Sequence, residues 1–502
     1  MESGLQELKF SRYNQKVELS GKLFLYNALT GGYASVDEEY RDNFDKCDFK
    51  KLDSMKELAE LPNAIINQLM EGGFIIPKNF DEFNVIKSMH YRGRFGANKA
   101  LTMTLIPTMN CNFRCPYCYE KDKKYPVKKM TTEVMDAIIK YVESRIDSVD
   151  HIFVTWYGGE PLLGLHEIRI MQNKLIELAS QKDVQVSGMI ITNGYGLTKE
   201  ISDELVQMQI KTAQVTIDGP EEIHNRTRFL KNGEGTYRRI INNLLQANEN
   251  LEVVIRVNIQ KENIKYVPEF VDSLKQVGID KRNNIKPYFS LVRDYEIDKG
   301  YIYSSCFSVP EFSEEESKLR QILLKKGFQP ANSNIQPKLY GCGAVSPNSI
   351  LVEPDGTLQK CWNVVGDKNE AIGNIMDIDD EFNGTLQELI NESKWYAWSE
   401  FENEDCKNCE VLPLCMGGCP YYAVKRNEFK ASQLLEMAKY FNVSVDYILC
   451  NSDYKYIQEV YHNAKNIEVE NIDFIKMYKN LSESDKELIY ALAQRLSKVK
   501  TV

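Results

Sequence analysis

Between residues 101 and 291 six apolar, β-prone runs recur: LTMTLI (101–106), HIFVTW (151–156), VQVSGMIIT (184–192), TAQVTI (212–217), LEVVIRV (251–257) and IKPYFSL (285–291). Amphipathic stretches such as EVMDAIIKYVESRI (133–146) and EFVDSLKQV (269–277) separate them. Strand–helix alternation repeated in this way predicts βαβ units around a parallel sheet, an α/β fold. Six such units fit a partial (β/α)6 barrel of the TIM type, and a flat doubly wound sheet is the other fold with this rhythm. In either, the chemistry belongs in the loops at the carboxyl ends of the strands.

Four of those loops stand out. The first run leads into TMNCNFRCPYCYE (108–120), where Cys111, Cys115 and Cys118 form C-x3-C-x2-C. WYGGEP (156–161) follows the second run, NGY (193–195) the third and DGP (218–220) the fourth. All fall on one face, which favours function over packing. With 12 cysteines in 502 residues, such a triple arises by chance on the order of once in a hundred chains. A structural zinc site would have to borrow a fourth ligand from elsewhere, because it is closed by four. A [4Fe–4S] cluster also takes four ligands as a rule. Given only three by the protein, it keeps one iron open to a small molecule.

Composition narrows the setting. An apolar fraction of 43% and a charged fraction of 27% describe a folded globular chain, with room for about three domains. A net charge of −10 and a pI near 5.4 give no general attraction to nucleic acid or acidic lipid. The N-terminal MESGLQELKF lacks the apolar core of a signal peptide, and no run of about eighteen apolar residues offers a membrane span. The expectation is a cytoplasmic protein with no membrane and no nucleic-acid partner. Its thiols then read as metal ligands rather than disulfides.

The C-x3-C-x-aromatic-C loop after a first strand, followed one strand later by Gly158-Gly159-Glu160-Pro161, resembles the radical S-adenosylmethionine (SAM) family. The resemblance implies that Cys111, Cys115 and Cys118 hold a [4Fe–4S] cluster whose open iron chelates the amino and carboxylate groups of SAM. An electron then cleaves SAM to methionine and a 5′-deoxyadenosyl radical, which abstracts hydrogen from substrate. It further implies Tyr117 near the adenine, Gly158 and Gly159 allowing close backbone approach to the ligand, and Glu160 accepting from the methionyl ammonium. Asn193 falls on the ribose side, Arg256 pairs with the SAM carboxylate, and Asp218 faces substrate. On the residues alone, Asn193 is equally a turn former, Arg256 a solvated strand-end charge, and Asp218-Gly219 a common turn. An electron donor such as flavodoxin or ferredoxin is the implied partner.

A second cysteine field follows. Cys342 and Cys361 precede EDCKNCEVLPLCMGGCPYY, in which Cys406, Cys409, Cys415 and Cys419 form C-x2-C-x5-C-x3-C, and Cys450 comes last. C-x2-C alone would suit a zinc ribbon. The whole array resembles the SPASM extension of radical SAM enzymes, which carries two auxiliary clusters and would bring the total to three [4Fe–4S] clusters. The resemblance implies that Cys406, Cys409, Cys415 and Cys450 close an outer cluster. Cys342, Cys361 and Cys419 hold an inner one nearer the active site, with Cys306 available as a fourth ligand. Cys47 reads as structural. The stretches LLEMAKYFNVSVDYILCNSD (434–453) and LSESDKELIYALAQRL (481–496) resemble the end of a phage-repressor-like helix-turn-helix without its recognition helix. A helical cap that happens to contain Cys450 is therefore the other reading of that residue.

Residues 1–95 form a candidate separate unit. VELS (17–20), KLFLY (22–26) and GYASV (32–36) are short strand patterns, followed by helical spacing in NAIINQLMEGGF (63–74). The pattern fits a winged-helix-like unit or a packing extension of the next domain. Its likeness to the recognition elements of peptide-modifying radical SAM enzymes implies a leader-peptide site that works by strand addition. The expected organisation is 1–95 recognition unit, 96–300 partial barrel, 301–455 SPASM domain and 456–502 helical tail. The implied function is a radical SAM oxidoreductase that matures a ribosomally made precursor peptide by forming Cys thioethers. Formylglycine formation on a sulfatase and a non-catalytic Fe–S electron carrier are the alternatives.

Overall fold

The computed structural model describes residues 7–426, apart from positions 20, 51, 60, 97–98, 119–124, 126, 293–305, 308, 332–335, 339–340 and 378–384. Cys450 and the tail patterns at 434–453 and 481–496 lie outside the described residues. The chain divides into two compact units, Met1–Glu392 with Glu400–Tyr421, and Ser393–Ser399 with Tyr422–Val502. The second is described only at residues 393–399 and 422–426.

The first unit begins with β1 (Leu8–Phe10), then β2 (Asn14–Leu19), β3 (Lys22–Asn27) and β4 (Tyr33–Ser35). Strands β2, β3 and β4 form a three-stranded antiparallel sheet over the three sequence patterns. β1 instead pairs antiparallel with β5 (Ile75–Pro77), a ribbon too short to show in the sequence. The helix Asn63–Glu71 packs through Leu69 into a core with Phe10, Leu23, Leu25, Phe44 and Phe74. Cys47 belongs to that core, and its thiol donates to the Asn43 carbonyl at 3.2 Å.

The central sheet takes its six parallel strands from the six apolar runs: β6 (Ala100–Thr108), β7 (His151–Gly158), β8 (Gln185–Thr192), β9 (Ile210–Thr216), β10 (Glu252–Ile259) and β11 (Ile285–Leu291). Side-chain alternation explains them. On β10, Val253, Ile255, Val257 and Ile259 are fully buried, while Arg256 between them stays half-buried on the other face. Each fully buried aliphatic side chain contributes about 1.5–3 kcal/mol. The crossover helices present matching stripes. In Thr132–Glu143, for example, Val134, Met135, Ile138, Tyr141 and Val142 are buried, and the Thr131 side chain caps the helix by accepting from the Val134 amide.

Strands β6 to β11 lie side by side in chain order. A doubly wound sheet reverses its order at a switch point, and this one does not. Right-handed crossovers in one direction place every helix on one face, so the flat alternative falls and the sheet is that of a partial barrel.

Three further strands were not legible in the sequence. β12 (Ser349–Val352) joins β6 in parallel, from Ser349 opposite Thr102 to Val352 opposite Leu105. β13 (Thr357–Gln359) and β14 (Gly373–Asn374) follow antiparallel, giving a nine-stranded sheet. The chain around Cys342 and Cys361 is thereby hydrogen-bonded to the strand that leads to Cys111. Among the described residues no helix is long and apolar enough to cross a membrane.

Candidate active site

The Cys111–Cys118 loop is braced from three neighbouring strand ends. Backbone pairing of Phe113 with Leu230, with Arg114 N donating to Phe229 O at 2.9 Å and Lys231 N to Asn112 O at 3.0 Å, ties it to the segment after β9. Cys111 and Cys115 pack against the barrel core. Burial pushes the Cys111 thiol up to about 12, and Glu160, Cys115 and Cys118 push the same way. Cys111 is thus within electrostatic reach of both other thiols. The Phe113 amide donates to Cys111 Sγ at 3.4 Å, a bond that favours the thiolate.

Gly158 and Gly159 press on that loop. Gly158 has φ +122°, and a Cβ there would meet Thr108 O at 2.5 Å. One on Gly159 would meet the carbonyls of Met109 and Asn110 at 2.6 Å. The two backbones zip together, with Gly159 N donating to Thr108 O at 3.2 Å and Glu160 N to Asn110 O at 2.9 Å.

Glu160 is 2% exposed. Its Oε1 accepts from Thr192 Oγ1 at 2.7 Å and Leu162 N at 3.1 Å, and its Oε2 from Asn193 N at 2.7 Å. Burial still outweighs those bonds and raises its pKa. Asn193 Nδ2 donates to Asn112 Oδ1 at 2.8 Å, and its Oδ1 accepts from Tyr195 N at 3.0 Å. Glu160 and Asn193 therefore lock the ends of β7 and β8 to the cysteine loop.

The sequence reading overlooked Arg228. It is buried beside Cys115, and its charge favours the Cys115 thiolate against burial, which raises that thiol. One terminal nitrogen donates to Tyr117 Oη at 2.7 Å, and the guanidinium lies 5.6 Å from the Phe113 ring centre. Tyr117 Oη donates to Asp218 Oδ2 at 2.5 Å, and Thr227 Oγ1 donates to the same oxygen at 3.0 Å. Burial holds the Tyr117 phenol well above its ordinary pKa. Arg228 Nε and Asp218 Oδ1 are both buried and have no partner among the described residues. A donor and an acceptor are thus left for a bound molecule. Asp218 lines a cavity of about 260 Å3 together with Tyr117, Thr227, Asn258, Asn263 and Tyr266. Arg256, the arginine singled out from sequence, points along the sheet instead: its Nε donates to Asn258 Oδ1 at 2.9 Å, and it bonds the Tyr288 hydroxyl. The two arginines in EEIHNRTRFL gave no signal, because only tertiary packing separates exposed Arg226 from buried Arg228.

The second field resolves into two trios. Cys342, Cys361 and Cys419 lie within electrostatic reach of one another, and Cys361 is pushed up to about 12, chiefly by burial. The Ala344 and Asn363 amides favour the thiolates of Cys342 and Cys361 as the Phe113 amide does that of Cys111. Lys360 is buried and donates to Ser346 O at 2.7 Å and Ser349 O at 2.6 Å, and burial lowers its pKa to about 7. Next to Cys361, Trp362 stacks on Tyr157 with ring centres 5.0 Å apart and donates to Thr104 Oγ1 at 3.1 Å. Those contacts bring the inner trio's loop to the edge of the barrel.

Cys406, Cys409 and Cys415 form the other trio, and burial raises Cys406 to about 11. Cys406 and Cys409 pack with Tyr13, Ile86, Phe401 and Met416. Met416, Gly417 and Gly418 all have positive φ (48°, 77°, 76°). Three left-handed residues in a row turn the chain sharply, a path for which glycine is suited. Cys415 and Cys419 consequently serve different trios. Cys306 is half-buried before Phe307. Among the described residues no three Cys, His, Asp or Glu side chains are gathered tightly enough for a single metal ion. Soft thiols in all three trios, favoured as thiolates by backbone amides in the Cys111 and Cys342–Cys361 sites, fit Fe–S ligation.

Comparison with known proteins agrees with this geometry. Residues 105–274 match the model of the radical SAM superfamily. The chain is 22% identical over 448 residues to the radical SAM cyclopropyl synthase TigE of Paramaledivibacter caminithermalis, covering 82% of this chain and 90% of that one. It is 24% identical over 358 residues to a cysteine-type anaerobic sulfatase-maturating enzyme of Clostridium novyi, covering 64% and 88% respectively. The solved structure of native anSMEcpe with bound AdoMet superposes with a TM-score of 0.50 at 18% identity, covering 73% of this chain and all of that one, a likeness of fold.

Proposed function

The chain is a radical SAM enzyme with its family domain at residues 105–274, and from that premise we propose that it matures a ribosomally made precursor peptide by forming Cys thioethers. Cys111, Cys115 and Cys118 would hold a [4Fe–4S] cluster, and the unpartnered Arg228 Nε would take the SAM carboxylate in place of Arg256. Bound there, cluster and SAM supply the one-electron chemistry that generates a hydrogen-abstracting radical. Glu160 and Asn193 keep the loop in register, with Asn193 on the ribose side. Tyr117 and Asp218 wall the cavity, and Asp218 Oδ1 is positioned to accept a proton or hydrogen bond from whatever enters. Cys406, Cys409 and Cys415 with Cys450, and Cys342, Cys361 and Cys419, would hold the two auxiliary clusters of a SPASM domain.

The observation that carries the peptide reading is a groove of about 1060 Å3 between the winged-helix-like unit of residues 1–95 and the Cys406–Glu410 loop. The outer strand β2 contributes Asn14, Gln15 and Lys16 to it, beside the aromatic rings of Phe10, Phe49 and Phe80. Its acids are engaged: Glu82 accepts from Ser11 Oγ and Arg12 N, and Glu410 from Gln15 and Lys50. Lys9 donates to a backbone carbonyl, and Lys16 donates to backbone carbonyls and lies 5.2 Å from the Phe49 ring centre. An extended peptide with apolar and acidic side chains suits such a surface. A flavodoxin or ferredoxin of the cytoplasm, where the thiols stay reduced, would supply electrons.

The sulfatase-maturating alternative is separated by product. With SAM, reductant and a Cys-containing precursor peptide under anaerobic conditions, thioether formation removes two hydrogens and keeps the sulfur. Formylglycine formation replaces the sulfur by oxygen. Mass spectrometry of the peptide reads the difference. A sulfatase peptide converted while every leader-bearing peptide is left intact would overturn the proposal.

A further inference from the structure

Two cations are buried around the loop that starts at Cys342. Arg94 is 1% exposed, and its Nε donates to Val345 O at 2.7 Å. It comes from the turn after the helix Glu82–Tyr91, so residues 251 positions apart are brought together. Lys360 is 5% exposed and holds the carbonyls of Ser346 and Ser349 in the same loop. Lys360 lies within electrostatic range first of the Glu392 carboxylate, then of Arg94 and of Cys342. Cys361 is the next residue in the chain.

Burying one cation is costly and burying two together more so, unless negative charge is close. Glu392 offers one such charge to Lys360, three thiolates would bring more, and a cluster bound to them gains one further negative charge when it is reduced. Net charge and hydrogen bonding around an Fe–S centre are what set its reduction potential. We propose that Arg94 and Lys360 are charge-compensating residues for the inner auxiliary site, biasing a cluster held by Cys342, Cys361 and Cys419 toward its reduced form. The inference rests on the auxiliary-cluster reading above. It assigns these two side chains a task beyond capping carbonyls.

The test is a redox titration of the anaerobically reconstituted full-length enzyme, followed by electron paramagnetic resonance. The inner signal is identified by its loss in C342A/C361A/C419A. Lys360→Met keeps the length and removes the charge. At fixed potential its inner cluster should show a reduced-to-oxidised ratio about tenfold lower, equivalent to about 59 mV for a one-electron couple. Lys360→Arg should restore the ratio. A merely structural capping role predicts no such directed shift with rescue, so an unchanged ratio in Lys360→Met at full iron content overturns the proposal. Should that variant not load iron, Arg94→Met against Arg94→Lys makes the same comparison at the second cation. If the triple cysteine variant keeps all its iron and every signal, the auxiliary-cluster reading itself falls and the inference with it.

Discussion

The Cys111–Cys118 loop and the Cys406–Cys415 loop each present three thiols, but the barrel holds the first and the N-terminal unit holds the second. Around the first, backbone bonds from the ends of β7 and β9 and side-chain bonds from β8 fix the loop, Arg228 with its unpartnered nitrogen is buried beside Cys115, and a cavity is lined by Tyr117. Around the second lie Tyr13, Ile86, Phe401 and Met416, an apolar bed. Arg12 of the N-terminal unit reaches the Lys407 carbonyl, and Lys50 pairs with Glu410 at 2.5 Å. One loop is built to receive a small molecule, and the other is built as a joint.

That contrast can be broken by mutation. Ile86→Ala removes a nearly fully buried side chain from the joint and should cost about 2–5 kcal/mol locally. Iron should be lost from the outer trio on mild heating while SAM cleavage survives. Loss of SAM cleavage together with the iron would show that the two loops are not independent.

Arg228→Met should act on the other side of the comparison. Losing a charged hydrogen bond of about 1.5–3 kcal/mol weakens SAM binding about tenfold to a hundredfold, with auxiliary iron unchanged. Calorimetric titration with SAM measures it, and Arg256→Met is the control expected to bind more nearly as wild type.

A smaller effect is expected from pH. Cys111 stands at about 12 and Cys406 at about 11, both above the ordinary thiol value of 9.0. Metal binding must displace those protons, so iron uptake by the metal-free protein should fall as pH falls, and more for the first loop than for the second. By the same linkage the metal-free fold should lose stability as pH rises from about 9 toward 12, because folded thiols hold protons that unfolded ones release. Iron uptake curves and thermal melts across this range check both signs.

The sequence showed all six barrel strands because each is a short apolar, β-prone run, and alternation of buried residues, as at Val253, Ile255 and Val257, leaves a period of two. It showed the cysteine trios because ligand spacing is local. It did not show β12 to β14, which have four, three and two residues and take their order from β12 pairing with β6, β13 with β12 and β14 with β13. Nor did it show that Gly158 and Gly159 serve backbone-to-backbone contact, since the residue type needed is the same as for ligand approach. Arg228, Arg94 and Lys360 escaped notice for another reason. A buried cation looks like any surface cation until tertiary packing closes over it.

The central claim is that Cys111, Cys115 and Cys118 leave one iron open for SAM. The most direct test is anaerobic 5′-deoxyadenosine formation by the C111A/C115A/C118A variant, with iron counted in the same sample. The expected result is no product above background with about two-thirds of the wild-type iron retained, as three four-iron clusters require. Continued 5′-deoxyadenosine formation by that variant would contradict the account.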